Sequence, residues 1–248
     1  MSLYDFNAPR LYIDNPLREG EELSLDRAQA NYLINVLRLR NGDAVLVFNG
    51  RDGEWRAGIA QEGRKSASLH LVEKVREQTE GTDILYLFAP IKHARLDYMV
   101  QKSVEMGVGS MRPVFTARTQ SGRVNLDRMK ANAIEAAEQC GILNLPEILP
   151  EMKLPAALDA LEPDRLLVFC DEDTPPGGSV EALKTLGKQE NGIAVIVGPE
   201  GGFTEQERAL IMERKPHLRL SLGPRILRAD TAAVAVLALV QAVIGDWN

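Results

Sequence analysis

Two rhythms of apolar residues divide the chain. Up to about residue 75 they come in short runs, at 10–13, 44–48, 54–60 and 66–75, broken by Asn41-Gly42-Asp43, by Asn49-Gly50-Arg51-Asp52-Gly53 and by Glu62-Gly63. Runs of this length between turn-forming residues predict strands. One stretch, 26–37, has helical spacing instead, with Ser24 or Asp26 placed to cap it. So many short strands around one helix predict a small β-barrel.

Beyond the polar linker 77–82 the rhythm changes. Strand-like runs at 84–90, 111–116, 166–170, 193–197 and 218–222 alternate with helix-like stretches at 96–106, 126–140, 180–186, 204–214 and 230–247. That alternation predicts an α/β domain with a mostly parallel sheet, and a division into domains 1–76 and 77–248. Thr204 with Glu207 three positions on forms a capping box, so the helix after 193–197 has a marked start. The last helix is apolar nearly all round from 232 to 244, which predicts burial on several sides. At that length, and interrupted by Gln241, it falls short of a membrane span.

The candidate chemistry sits where two of these strands end. Gly198-Pro199-Glu200-Gly201-Gly202-Phe203 follows the run 193–197, and Leu222-Gly223-Pro224-Arg225-Ile226-Leu227-Arg228-Ala229-Asp230-Thr231-Ala232 closes the run 218–222. Both read as loops at carboxyl ends of strands, where open α/β sheets bind ligands. Gly201 and Gly202 are expected to let backbone approach a ligand, and Gly223 to free the turn before Arg225 and Arg228. Neither loop has the spacing G-x-G-x-x-G, and no G-x-x-x-x-G-K-[ST] occurs in the chain. A dinucleotide fold and a P-loop are thereby disfavoured.

The two motifs resemble the signature of the SPOUT superfamily of RNA methyltransferases, and more closely its ribosomal small-subunit uridine-N3 methyltransferase family. Val36-Leu37-Arg38-Leu39-Arg40-Asn41-Gly42-Asp43, Gln101-Lys102-Ser103-Val104-Glu105-Met106-Gly107-Val108 and Glu135-Ala136-Ala137-Glu138-Gln139-Cys140-Gly141 match in the same order, so the resemblance spans nearly the whole chain. One departure is Ile142, where relatives often carry arginine. The resemblance implies a PUA-like RNA-binding barrel, a C-terminal trefoil knot, and a homodimer acting on 16S ribosomal RNA. It also implies S-adenosylmethionine as cofactor, held by Gly198, Pro199, Gly201, Gly202, Leu222, Gly223, Ile226, Leu227 and Thr231. Arg228 is then the candidate cation for stabilising a deprotonated uracil, and Glu200 and Asp230 are the carboxylates available as proton acceptor.

Charge adds one refinement. The net −6 lies entirely in residues 77–248, residues 1–76 being neutral, so an RNA footprint must be a local patch. Arg38 and Arg40 in the first domain, and Arg118 and Arg123 within the basic stretch 111–130, are the candidates. The three histidines are far apart, and no metal site is expected. Cys140 and Cys170 read as reduced thiols, Cys170 lying near the ligand face. The opening residues lack a secretory pattern, so a cytoplasmic location is expected. Two other functions fit the residues: a non-enzymatic RNA-binding module, and a transferase using the same loops for nucleotide phosphate.

Overall fold

The computed structural model describes residues 8–61, 63 and 66–247. The opening segment on which the export expectation rests, and Glu62 of the third turn, lie outside the described residues. The chain forms two compact units: residues up to Glu80 together with Ala137–Asn144, and Gly81–Ala136 together with Leu145–Asn248.

The first unit is a curled five-stranded sheet of β1 (Arg10–Tyr12), β2 (Glu22–Ser24), β3 (Ala44–Phe48), β4 (Glu54–Gln61) and β5 (Ala67–Arg76), in the order β1-β3-β4-β5-β2. Register shifts between β4 and β5 at Glu54/Trp55 and Arg56/Ala57 bend the ladder, as bulges do. The concave side encloses Leu11, Val45, Val47, Ala57, Leu69 and Leu71. The sequence hid β2 because Leu23 is its one apolar residue. The expected helix at 26–37 is α1 (Arg27–Asn31) followed by a π-helical turn, Tyr32–Val36. Asp26, not Ser24, is the cap, reciprocating with Gln29 in a capping box, and Ala30 and Leu33 drop into the core.

A buried ion pair anchors this unit. Arg10 Nε donates to Glu54 at 2.6 Å with both side chains 1 % exposed, and Arg76 Nε reaches the other carboxylate oxygen at 2.8 Å. The Arg10 guanidinium lies 4.2 Å from the Phe48 ring centroid and donates to the carbonyls of Ala137, Glu138 and Ile142. Residue 142 therefore contributes its backbone here.

The second unit is a sheet ordered β12-β10-β11-β6-β7-β8, with β9 beside β7, parallel throughout. Its strands are β6 (Ile84–Phe88), β7 (Ser110–Phe115), β8 (Glu147–Ile148), β9 (Met152–Lys153), β10 (Leu166–Cys170), β11 (Ile193–Val197) and β12 (His217–Leu220). Helices α2 (His93–Glu105), α3 (Leu126–Cys140), α4 (Leu154–Asp159), α5 (Ser179–Leu186), α6 (Glu205–Glu213) and α7 (Ala229–Ile244) connect and follow them. Alternation assigns the faces: Leu87, Leu167, Phe169, Ala194 and Ile196 pack with Leu154, Leu158 and Ile211 of α4 and α6. On the opposite face Tyr86 donates to Met99 Sδ of α2 at 3.5 Å, and α7 packs on α2, α5 and β11. The segment holding β8, β9 and α4 showed no sequence signal, since two-residue strands carry no period and α4 is six residues long with proline in its first turn. The last helix stops at Ile244, before Gly245, rather than running to 247.

Candidate active site at the ends of the parallel strands

Because β10 lies between β11 and β12, the loops after all three strands open on one end of the sheet. The first motif is the loop after β11, the second the loop after β12. The loop between them, beginning at Asp171, carried no signature. Asp171 is 4 % exposed and clamped by Arg208 of α6 and by Arg219 of β12, the latter at 2.5 and 2.9 Å. Arg208 also reaches Glu172 at 3.0 Å, and Ser179 Oγ donates to the Ser221 carbonyl at 2.8 Å. One buried carboxylate between two guanidiniums thus ties the start of the loop after β10 to α6 and β12. Only their convergence in space shows it.

The glycines divide by what surrounds them. A Cβ at Gly198 would meet the Phe203 ring at 2.6 Å, and one at Gly202, where φ is +67°, would collide with Glu172 Oε1. The Cβ space at these two positions is taken by the protein's own side chains. A Cβ at Gly201 would stand 3.4 Å from the Arg118 stem, and Arg118 Nη1 donates to the Gly201 carbonyl at 2.6 Å. Pro199 is buried. Gly223 differs: φ is +98° and nothing lies within 4 Å of where its Cβ would be. Around it Leu222 and Leu227 are half-buried, Thr231 is exposed, and Ile226 is 97 % exposed.

A single arginine links both motifs to α2. Arg95 donates from Nε and Nη2 to the two oxygens of Asp230 at 2.9 and 2.8 Å, and from Nη1 to Glu200 at 2.9 Å. The Arg95 hydrogen bonds, with the Thr231 N–H, hold the Asp230 carboxyl below its ordinary range against the opposing effect of burial. A carboxylate so occupied is a poor proton acceptor. Arg228 stands at the N-cap of α7, exposed and without a capping side-chain bond. Burial pushes the Cys170 thiol up to about 12, so it is no nucleophile at neutral pH.

Of the expected RNA contacts, Arg38 and Arg40 are exposed on the first unit, and Arg38 is the one described non-glycine residue with positive φ, at 61°. Arg123 is exposed on the second. Sequence reasoning missed Arg95, Asp171, Arg208 and Arg219, whose partners lie between 37 and 135 residues away. Among the described residues no group of three or more His, Cys, Asp or Glu could hold a metal ion, and no helix is long and apolar enough to cross a membrane.

A parallel α/β sheet with converging loops at one end, joined to a curled β-unit, defines a class recorded in known families. The RNA methyltransferase domain family matches residues 78–241, and the RNA methyltransferase PUA domain family matches residues 25–72. The ribosomal RNA small subunit methyltransferase E of Rickettsia conorii is 31 % identical over 233 residues, covering 94 % of each chain. The protein of that name from Neisseria gonorrhoeae, solved bound to S-adenosyl methionine, is 28 % identical with a TM-score of 0.84, covering 98 % of this chain and 100 % of that one. A Legionella pneumophila methyltransferase solved with bound SAM has the same identity and TM-score, covering 95 % and 98 %. The chain belongs to the ribosomal RNA small subunit methyltransferase E family of RNA methyltransferases.

Proposed function

We propose that this chain transfers the methyl group of S-adenosylmethionine to N3 of a uridine in 16S ribosomal RNA. The observation that carries the proposal is the convergence of both motif loops and the Asp171 loop at one end of β12-β10-β11, with Arg95 tying Glu200 to Asp230. The loops suit such a cofactor. Gly223 leaves open space beside backbone, and the buried Thr174 hydroxyl and Arg208 Nε have no hydrogen-bond partner among the described residues, as groups awaiting a polar ligand would. Gly198, Pro199, Gly201 and Gly202 would form one wall, and Leu222, Gly223, Ile226, Leu227 and Thr231 the other.

When bound, S-adenosylmethionine supplies an electrophilic methyl on a sulfonium, and the chain's residues do the rest. Glu200 accepts the imide proton of the uracil. Arg228 stands where the α7 N-terminus adds its own positive potential, and stabilises the negative charge that develops on the base. Asp230, neutralised by Arg95, positions that arginine and through it Glu200.

The acceptor atom and nucleotide rest on the family resemblance. The same reading carries the trefoil knot, since the connection from β11 to β12 crosses β10 and α7 returns to pack on α2 and α5. It carries the homodimer too. Val234, Ala235, Ala238, Leu239 and Val243 leave a half-buried apolar stripe along α7, which a second copy would cover. Sedimentation at micromolar concentration tests the dimer, and an active monomer would contradict it. The cofactor is tested by Thr174→Val. Removing an orphaned hydroxyl leaves folding intact, and the variant should bind S-adenosylmethionine several-fold more weakly, about 0.5–1.5 kcal/mol. Wild-type affinity would take Thr174 out of the site.

A further inference from the structure

In an open parallel sheet the ligand crevice lies where successive connections depart in opposite directions. Here that point falls between β6 and β11. From β6 the chain leaves through α2 toward β7, whereas from β11 it leaves through α6 past β10 to β12. A cavity of about 1120 Å³ opens there, walled by Pro90–Lys92 after β6, by residues 120–127 after β7, and by Glu200 of the first motif. Of the two motif loops, the first contributes to its lining, through Glu200. Pockets for drug-sized molecules span roughly 300–1,000 Å³, so this one has room for more than a single nucleotide.

Its charges are unbalanced in an informative way. Lys92 and Arg123 both line it, both are exposed, and neither has an ion-pair partner among the described residues. Lys92 is also the N-cap of α2, and its side chain satisfies none of the first-turn N–H groups. A cation at the positive end of a helix is unfavourable by itself and is relieved by a bound anion. The carboxylates nearby are engaged elsewhere: Glu200 accepts from Arg95 at 2.9 Å, and Asp127 stands in the first turn of α3, where it offsets that helix's dipole. Asn125 Oδ1 accepts from the Arg128 N–H at 3.0 Å, which leaves the Asn125 amide nitrogen, with Gln120, to donate to base edges.

We propose that this cavity takes an unpaired stretch of RNA, the target uridine with a flanking nucleotide, and that Lys92 and Arg123 hold its phosphates. The base then enters beside Glu200, out of any stack, as chemistry on a ring nitrogen requires. This deepens the rRNA methyltransferase reading and rests on it.

Three variants test it in the full chain. Lys92→Gln and Arg123→Gln each remove one phosphate contact, and neither threatens the fold, since both side chains are exposed. Gly122 lines the cavity with nothing within 4 Å of where a Cβ would stand and no positive φ, so Gly122→Phe adds bulk at the cavity wall without backbone strain. Binding of transcribed small-subunit ribosomal RNA is measured by filter retention across a salt series, and S-adenosylmethionine binding by calorimetry. Each charge variant should flatten the slope of log affinity against log salt by about 0.7. Gly122→Phe should weaken RNA binding about tenfold, the worth of one lost base contact, and all three should bind the cofactor as wild type does. RNA affinity and slope unchanged in the three would overturn the cavity assignment. Failure of the wild-type chain to bind S-adenosylmethionine would instead overturn the reading beneath it.

Discussion

The two motif loops read alike in sequence, glycine-rich and following strands, yet they are built on opposite principles. In residues 198–203 the Cβ positions of Gly198 and Gly202 are taken by Phe203 and Glu172. In residues 221–228 Gly223 faces open space and Ile226 is 97 % exposed. A glycine can therefore mark the protein's own close packing or room left for something else, and the sequence does not say which. Gly198 in the first loop and Arg228 in the second should fail differently when altered: the first through stability, the second through activity.

The largest expected effect lies in the open loop. Arg228→Ala should lower turnover by about 10²–10³, the usual cost of one charge-stabilising donor, with folding stability changed by no more than about 0.5 kcal/mol, as for an exposed side chain. Single-turnover assays beside a urea melt decide it, and near-normal turnover would return Arg228 to a solvated helix-terminal role.

Next comes the enclosed loop, where Gly198→Val drives a branched side chain into the Phe203 ring. Overpacking of this kind costs about 1–3 kcal/mol, and the loss should appear in the urea midpoint without any substrate present. A variant as stable as wild type but without cofactor affinity would show that Gly198 makes room for the ligand after all.

Asp230 sharpens the boundary between the loops. Its folded pKa is depressed by Arg95, so it contributes stability above its ordinary value, and that contribution disappears as pH falls through the depressed one. Asp230→Asn should accordingly be less stable than wild type at neutral pH, and the gap should close on acidification below about pH 4. A gap independent of pH would mean that the ion pair does not hold α7 to α2.

The smallest effect is a labelling pattern. With its thiol pushed up to about 12, Cys170 should resist alkylation at neutral pH while exposed Cys140 reacts. Modification of Cys170 in the folded chain would reopen it as a nucleophile.

The α/β alternation was legible because β6, β10 and β11 are uninterrupted apolar runs, and the capping box Thr204/Glu207 announced α6 outright. What escaped had no local signature. Strands β8 and β9 are two residues each. The clamp on Asp171 and the Arg95 bridge join residues distant in sequence, and an arginine's partner is written in the fold alone. The cavity beside Glu200 escaped for the same reason, since its walls come from three separate connections.

One experiment reaches the proposed methyl transfer to a uridine of the small-subunit RNA. Purified protein and S-adenosylmethionine are incubated with 16S ribosomal RNA lacking modifications, and the nuclease-digested product is analysed by mass spectrometry against synthetic nucleoside standards. One added methyl group is expected, on N3 of a single uridine. Methylation of another atom or another base, or RNA recovered unmodified while the protein binds cofactor, would contradict it.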